Sequence, residues 1–431
     1  MLRLSLSEAL SQLKNNRLKF IERLRISSLC KEFGLKGRKR LLTPEITIEL
    51  FFLQILDGNT AINGIIRFSK KVFTASAYCQ ARSKLPVELF KTLLAQMTKN
   101  QSAMKTWLGR RLLLVDGSTF SMSDTAELME HFGQPSGQKE GCGFPMAHFL
   151  AIMHAGSGLI QELLPGKLFT SDLTSFVKLH SSLKKADVVV GDRGFCSYVN
   201  FWLLIAREVD AVFRMHQRRK FSLDNSGSKK SSIIRKKLGV DDQLVTWFKP
   251  EKPPLWMSQE QYKEIPEQVI LRELRYVVKQ KGFRVEEIVI VTTLLNAESF
   301  SKEAIEEVYQ QRWQIETNFG HLKTTMKMDV VRCKSVDGVL RELYGFAIIY
   351  NVLCSIMIQA ADQIGCCIRR ISFIDTIRWL LAACRDKIEL SILTNPLRPG
   401  RVEPRAIKRR PKPYDLLTKP RQTLIKQALN A

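Results

Sequence analysis

The possible folds are limited above all by an alternation of apolar runs and helical patterns between residues 112 and 215. Three apolar runs come first, followed by a helical pattern, a run, a second helical pattern and a last run. Strands interleaved with helices predict a mixed α/β sheet covered by helices. The predicted strands are Leu112–Met122, Ala147–Ile160, Gln161–Lys167, Val188–Gly191 and Ala211–Met215, with helices at Ser171–Lys185 and Cys196–Val209.

The charge balance of the chain indicates an anionic partner. Among 431 residues, 67 Lys and Arg face 42 Asp and Glu, which gives a formal net charge of +25. Nucleic acid, an anionic membrane or an acidic protein would offset the self-repulsion of such an excess. Residues 214–237 hold nine basic residues and one acid, and residues 398–426 hold ten and two. At 45% hydrophobic residues, the chain still has enough apolar side chains for a core.

Membrane and secreted classes are disfavoured. The N-terminal segment has no apolar stretch of signal-peptide length. The most apolar window, Tyr344–Ala361, is interrupted by Asn351, Ser355 and Gln359, so we interpret it as a core helix. The nine cysteines are an odd number without zinc-finger spacing, as is typical of reduced thiols in a cytoplasmic protein. We therefore expect a cytoplasmic, nucleoid-associated protein with nucleic acid as its partner.

Three acidic residues stand where α/β sheets collect their ligand-binding groups. We expect Asp116 to end the first strand and Asp192 to end the fourth, and such strand ends hold the ligand sites of α/β sheets. Glu316 is predicted on a long helix from Ser301 to about Met326. Taken alone, such a residue has a plainer interpretation; an Asp-Gly after a strand, as at Asp116, is most often a turn.

On a continuous α-helix, Glu316 shares a face with Tyr309, Arg312 and Lys323. At about 100° per residue, the four side chains fall within an arc of about 60°. A carboxylate beside a phenol, a guanidinium and an ammonium suits a metal ligand flanked by phosphate-binding groups. A solvated charged face with an ordinary Arg–Glu pair explains the same helix. Trp313 is expected off this stripe, packing the helix on the sheet.

Together, the three acids predict a site for two divalent cations. Carboxylate oxygens are the ligands that hard cations such as Mg²⁺ (or Mn²⁺) prefer. Two such cations, about 3.5–4 Å apart, activate a nucleophile and stabilise the leaving oxygen in phosphodiester chemistry. Two aspartates at neighbouring strand ends, with a glutamate on a helix packed against that sheet, are the arrangement that this chemistry requires.

These residues resemble the DDE transposases of bacterial insertion sequences. Residues 309–323 carry Tyr, Arg, Glu and Lys at a spacing similar to the Tyr-Arg-Glu-Lys signature of the IS-four family. The Asp-Gly-Ser that begins at Asp116 resembles the first Asp motif of that family, and the Asp-Arg-Gly-Phe at Asp192 resembles the second. Residues 76–82 and 399–414 are similar to one of its branches, so the resemblance spans most of the chain.

The resemblance implies a ribonuclease-H-like mixed-sheet catalytic core with a β-rich insertion, plus helical N-terminal and C-terminal regions. The expected parts are a helical DNA-binding domain at 1–107, a core at 108–330 with its insertion at about 214–285, a helical region at 331–397 and a basic tail at 398–431. The helices between Gly338 and Ala383 are the expected contact of a homodimer.

The resemblance also implies residue roles. Asp116, Asp192 and Glu316 would be the catalytic and metal-binding residues, while Tyr309, Arg312 and Lys323 would contact phosphates of the transposon end. The other basic residues expected to contact DNA are Arg193, Arg218, Arg219, Lys220, Arg82 and Lys84. The last two lie in residues 74–85, which form either a recognition helix or a plain scaffold helix with a solvated basic face.

One departure from the family concerns base stacking. Relatives can carry a tryptophan in the insertion that stacks on a flipped base. Here Ile288 aligns with that position, while Trp247 and Trp256 lie elsewhere in the insertion, so no residue is assigned. His148 and His154, six residues apart on predicted strands, are expected to share a face as core or substrate-side histidines rather than as a metal site.

The leading hypothesis is a Mg²⁺-dependent DNA transposase that cleaves at insertion-sequence ends and joins the 3′-hydroxyl ends to target DNA. Its partners would be duplex DNA, as terminal inverted repeats and as target, and a second copy of the chain. Two alternatives remain: a metal-dependent nuclease without strand transfer, and a non-enzymatic DNA-binding protein derived from a transposase.

Overall fold

A computed structural model describes residues 25–35, 41–68, 72–99, 107–137, 139, 141–222, 232–278, 286–382 and 419–430. Within these residues, one mixed sheet has the strand order β3-β2-β1-β4-β5-β9-β8-β7-β6. The strands are β1 (Leu112–Ser121), β2 (Met146–His154), β3 (Ile160–Lys167), β4 (Val188–Gly191), β5 (Asp210–Arg214), β6 (Ser232–Gly239), β7 (Asp242–Phe248), β8 (Gln268–Val278) and β9 (Glu286–Thr292).

The helices lie on both faces and at both ends of this sheet. They are α1 (Ile26–Glu32), α2 (Pro44–Leu56), α3 (Ile62–Phe68), α4 (Ala75–Ser83), α5 (Val87–Lys99), α6 (Ala126–Phe132), α7 (Asp172–Leu179), α8 (Tyr198–Ile205), α9 (Gln259–Lys263), α10 (Lys302–Gln310), α11 (Trp313–Gly320), α12 (Val336–Ile364), α13 (Phe373–Ala382) and α14 (Arg421–Leu429). The mixed α/β fold class that the sequence predicts is confirmed.

The first five strands form the predicted ribonuclease-H-like core. β1 lies between β2, to which it is antiparallel, and β4, to which it is parallel. The apolar run Leu112–Val115 suits this central position because its alternate side chains enter hydrophobic clusters on opposite faces of the sheet. Ser171 and Ser197 cap the two crossover helices, α7 and α8, by accepting backbone N–H groups.

The β-rich insertion continues the core sheet. β9 pairs antiparallel with β5, and β8, β7 and β6 extend the sheet to its edge. Part of the basic run of residues 214–237 is the edge strand β6, whose Arg235, Lys236 and Lys237 are exposed. Charged side chains on an edge strand oppose pairing with other chains. Lys229 and Lys230 of that run lie outside the described residues.

Helix α12 crosses the centre of the protein. Among the described residues it is the one helix that is long and apolar enough to span a membrane, and 83% of its apolar window is buried inside the protein. Asn351 explains the polar stripe, since its side chain bonds the backbone N–H and C=O of Ile160 at 2.8 and 2.9 Å. The interpretation of residues 344–361 as a core helix is therefore supported.

Two predicted segments differ from the structure. The helix expected from Ser301 to about Met326 is divided into α10, a turn at Gln311–Arg312, α11 and a π-helical turn at His321–Thr325. The expected dimer contact includes α12, most of which is buried within one chain. Residues 1–24 and 398–418, which hold the start of the N-terminal region and most of the basic tail, lie outside the described residues.

Candidate active site

Asp116 lies within β1 and not at its end, contrary to the expectation. Antiparallel pairing with β2 continues as far as Ser121, whereas parallel pairing with β4 stops at Leu114. Asp116 shares the two-residue period of Leu112 and Leu114, so it projects on the same face of the sheet. This face is covered by α11, whose Ile315 and Phe319 lie in the same hydrophobic cluster.

Asp192 directly follows β4 and begins a short 3-10 turn. Its Oδ1 accepts the backbone N–H of Gly194 at 2.6 Å. Since Leu114 pairs with Val190, two further steps along both strands bring Asp116 level with Asp192 on the same face. The structure thus brings the two aspartates together on neighbouring parallel strands.

The two aspartates interact electrostatically. The pKa of Asp116 is raised to about 7, chiefly by burial and also by the nearby charge of Asp192, while the N–H of Gly117 and the charge of Arg312 oppose the shift. The Gly117 N–H lies 2.9 Å from Asp116 Oδ1. A buried carboxyl with a strongly raised pKa, close to a second carboxylate, is typical of functional sites.

Glu316 enters this site from α11. Its Oε1 lies 3.0 Å from Nη1 of Arg312, and 45% of its side chain is exposed. The mostly buried Arg312 guanidinium also acts on the charge of Asp116, so it lies between the glutamate and the strand acids. Within the described residues, no three acidic, His or Cys side chains are already grouped closely enough to hold a metal ion. Glu316 is therefore turned towards Arg312, and this arginine is its link to Asp116.

Lys323 reaches the site from the π-helical turn. Its Nζ donates to Ser118 Oγ at 3.1 Å and forms an ion pair with Asp329 at 3.2 Å. The single α-helix predicted for residues 309–323 is divided by a turn before α11 and a π-helical turn after it, although Arg312 still pairs with Glu316 four residues on. Lys323 nevertheless lies beside β1, where it contacts Ser118, two residues after Asp116.

Comparisons with known proteins identify this constellation. Residues 107–352, which include all three acids, match the family model described as "Transposase DDE domain". This chain belongs to the DDE transposase family. It is 25% identical over 418 residues to the transposase InsG of insertion sequence element IS4 from Escherichia coli (strain K12), covering 90% of each chain. The predicted resemblance to the IS-four family is confirmed.

A solved structure gives a more distant likeness to this DDE transposase. It is the piggyBac transposase synaptic complex with hairpin DNA, at 10% identity and a TM-score of 0.45, over 93% of this chain and 88% of that one.

The basic residues near Asp192 divide into two groups in this DDE transposase. Arg218 and Lys220 are exposed, and Arg193 Nη1 lies 3.4 Å from Gln217 Oε1 at the surface. Arg219, by contrast, packs its guanidinium 3.5 Å from the ring centre of the buried Trp247. The first three can meet a DNA backbone, whereas Arg219 has a packing role in the insertion.

The N-terminal basic candidates also divide. Arg82 stacks its guanidinium on Phe51 at 4.1 Å and donates to Gln54 at 3.0 Å and to Cys333 Sγ at 2.8 Å. It therefore joins α4 to α2 and to the loop before α12, and its expected DNA contact does not fit this placement. Lys84, which follows α4, is exposed.

Sequence reasoning missed Trp313. Trp313 precedes Glu316 by three residues, a rotation of about −300°, which equals about +60°. It therefore lies at the margin of the helix face that carries Glu316 and not on the opposite face. Its side chain is 45% exposed, and the Arg312 guanidinium lies 4.5 Å from its ring centre. The expected packing of Trp313 on the sheet is wrong. In the insertion, Trp247 and Ile288 are buried at 0% and 4% exposure, so neither presents a face for base stacking.

Proposed function

We propose that this DDE transposase cleaves the phosphodiester bonds at insertion-sequence ends and joins the 3′-hydroxyl ends to target DNA, by cut-and-paste. The observation that carries the proposal is the level placement of Asp116 and Asp192 on the face covered by the helix of Glu316. This is the arrangement that metal-dependent phosphodiester chemistry needs.

Asp116, Asp192 and Glu316 are the residues that would hold Mg²⁺ (or Mn²⁺). Their carboxylate oxygens suit a hard cation. The raised pKa of Asp116 reflects burial beside Asp192, and a divalent cation would offset both the burial and the repulsion. When bound, the cations would activate the attacking oxygen and stabilise the leaving oxygen.

Other side chains would position the DNA. Arg312 and Lys323 lie next to the acids and can bind backbone phosphates on either side of the cleaved bond. Tyr309, almost fully buried, lies behind Arg312 with its ring centre 6.0 Å from the guanidinium, so it supports Arg312 more than it meets DNA. The half-exposed ring of Trp313 offers a stacking surface for a displaced base.

Action on two element ends in one complex implies a homodimer during synapsis. Since α12 is buried, we propose that the contact uses α13, where Ile374 and Leu381 are 46% and 36% exposed. A native gel with paired element ends would test this. A two-chain complex should form with the wild type and weaken with Ile374→Asp, while cleavage of a single end is retained.

The central test is strand cleavage and joining on DNA that carries the element's own ends. Asp192→Ala and Glu316→Ala should abolish both activities, whereas the matched surface variant Glu208→Ala should keep them, since this carboxylate pairs only with Lys185 at the surface. Full metal-dependent cleavage by either site variant would exclude the assignment. Cleavage without joined products would indicate a nuclease, and tight binding of ends without any cleavage would indicate a DNA-binding derivative.

End binding should also depend steeply on salt. Arg193, Arg218 and Lys220 border the site, and the chain carries a net charge of +25. A protein that neutralises six to ten phosphates loses about 10³–10⁵-fold in affinity between about 50 and 200 mM salt. Affinity that stays constant over this range would contradict phosphate-dominated binding.

A further inference from the structure

A second polar pair lies on the opposite face of β1 from the acids. His148 of β2 is 6% exposed, and its Nε2 is hydrogen-bonded to Oδ1 of Asp172, the first residue of α7. His148 follows the same two-residue period as Leu150 and Ile152, which belong to the hydrophobic cluster on that face. Its Nδ1 is buried without a hydrogen-bond partner. A buried nitrogen without a partner costs free energy, so its retention calls for an explanation.

The pair lies directly against Gly117. A Cβ atom at this position would overlap Asp172 Oδ1 and would lie 2.5 Å from His148 Nε2. Real Cβ atoms do not approach polar atoms so closely, so any other residue at 117 would displace the pair or the strand. The absence of a side chain at Gly117 is therefore a requirement of this contact and not of backbone conformation.

Gly117 connects the pair to the active site. Its N–H donates to Asp116 Oδ1 at 2.9 Å, and its Cα faces His148 and Asp172 on the other side of the strand. A shift of Gly117 would therefore move the donor that holds one oxygen of Asp116. The charge of Asp172 also acts on Asp116, which shows how close the two carboxylates are.

We propose that His148 and Asp172 are positioning residues for the cleavage reaction. They fix the backbone at Gly117, so that its N–H holds Asp116 Oδ1, and Oδ2 would then be the oxygen that binds a cation. The inference rests on the proposed function, because it assigns Asp116 to a metal. It extends the site to the far side of the sheet, to residues outside the three acids and the Tyr-Arg-Lys set.

The same strand offers a matched control. His154 lies on β2 with the same facing as His148 and is 2% exposed, and its Nδ1 is 2.9 Å from Ser157 Oγ. It lies in the hairpin turn at the other end of the strand, opposite Leu113 rather than beside Gly117. His154→Gln therefore measures the effect of losing a buried histidine hydrogen bond away from the site. His148→Gln measures the effect of losing the contact with Asp172 and Gly117.

The first experiment measures Mn²⁺ affinity by titration calorimetry and cleavage rate on end DNA. Asp172→Asn keeps the shape of the side chain, so the chain should fold. We expect Asp172→Asn and His148→Gln to weaken Mn²⁺ binding and slow cleavage by about 10–100-fold, the usual effect of losing a residue that orients a metal ligand. KM for DNA should stay constant, and His154→Gln should match the wild type in both measurements.

The second experiment is a double-mutant cycle with Gly117→Ala and Asp172→Ala. If Asp172 acts through Gly117, the double variant should lose no more Mn²⁺ affinity than the worse single variant. Losses that multiply would show that the two residues act independently and would overturn the proposal. Gly239→Ala is the control for adding a methyl group to a strand glycine, since nothing lies within 4 Å of its Cβ position.

The outcomes separate this inference from the proposed function. If the wild type and Asp192→Ala bind Mn²⁺ equally, the metal site itself is wrong. If Asp192→Ala fails to bind Mn²⁺ while Asp172→Asn and His148→Gln behave as His154→Gln does, only the positioning role is overturned. A lower melting temperature with unchanged Mn²⁺ affinity would likewise overturn it, and if His148→Gln does not fold, the Asp172→Asn result decides.

Discussion

Two buried aspartates of the same sheet have opposite surroundings. Asp242, at the start of β7 in the insertion, is 6% exposed. The fully buried Arg272 donates two hydrogen bonds to its carboxylate, at 2.5 and 2.8 Å. The remaining guanidinium nitrogen of Arg272 donates to the carbonyls of Phe300 and Leu294. Every part of this ion pair is satisfied, as a structural role requires.

Asp116 has no such partner. Among the described residues, no lysine or arginine forms an ion pair with it, and the charges of Asp192 and Asp172 raise its pKa. In the insertion, the buried Asp242 thus joins two strands through an ion pair, whereas in the core the charge of Asp116 is not neutralised by an ion pair. The difference teaches that the core tolerates an electrostatic cost at the position where a cation would be bound.

The largest expected effect is on catalysis. Asp116→Asn removes a metal-binding charge with little change in shape, and a loss of several kcal/mol of transition-state stabilisation corresponds to about 10³-fold in rate. Single-turnover cleavage of end DNA would measure it, with circular dichroism as the folding control. Wild-type cleavage by this variant would remove the distinction between the two aspartates.

Removing the partner of Asp242 in the insertion should lower the free energy of unfolding. Arg272→Met leaves Asp242 buried without its cation, which costs about 3–5 kcal/mol of unfolding free energy. Urea denaturation would measure this cost. The neighbouring pair Arg275–Asp241 is about 30% exposed, so Arg275→Met should cost less than about 1 kcal/mol. Equal costs at the two pairs would show that burial does not set the role of Asp242.

The two aspartates should also differ in how pH affects stability. The pKa of Asp116 is raised from 3.8 to about 7, so its folded form binds a proton more tightly than its unfolded form. Its contribution to stability is therefore present below about pH 4 and lost as pH rises through 7, a difference of about 4 kcal/mol. In metal-free buffer, Asp116→Asn should become more stable than the wild type as pH rises from 4 to 8, and parallel stability curves would contradict this.

The last predicted difference between the two aspartates is stabilisation by the cation. Mg²⁺ or Mn²⁺ at about 100 times its dissociation constant should add about 2.7 kcal/mol to the stability of the wild type. Asp116→Asn should lose this gain, whereas the double variant Asp242→Leu/Arg272→Met should keep it. A cation effect of the same size in Asp116→Asn would place the cation elsewhere.

The five core strands and the two crossover helices could be read from the sequence, whereas α6, between β1 and β2, was not predicted. Apolar runs such as Leu112–Val115 are local signals, and a serine before each crossover helix marks its start. The strand Leu112–Met122 was predicted to within one residue, but Asp116 was expected at its end because the apolar run stops there, whereas pairing with β2 continues to Ser121. The break at Gln311–Arg312 has no comparable signal, whereas the π-helical turn follows Gly320 and includes Thr324 and Thr325, which are weak helix formers.

The basic residues show the same limit more sharply. Arg82, Arg218 and Arg219 all lie near other basic residues in the sequence, yet only Arg218 of the three is exposed. Arg82 meets Cys333 from 251 residues away, and Arg219 meets Trp247 across the insertion. Such contacts depend on how distant segments pack, and no local pattern records that packing.

By itself, the sequence determined the family and the fold class and predicted the three acids, because local motifs and apolar runs carry each of them. Only the tertiary structure decided that Asp116 lies level with Asp192, that Trp313 faces outward and that His148 and Asp172 lie behind Gly117. These relations join residues on different strands and helices. Their physical origin is strand register and side-chain packing, which are properties of the folded sheet and not of any one segment.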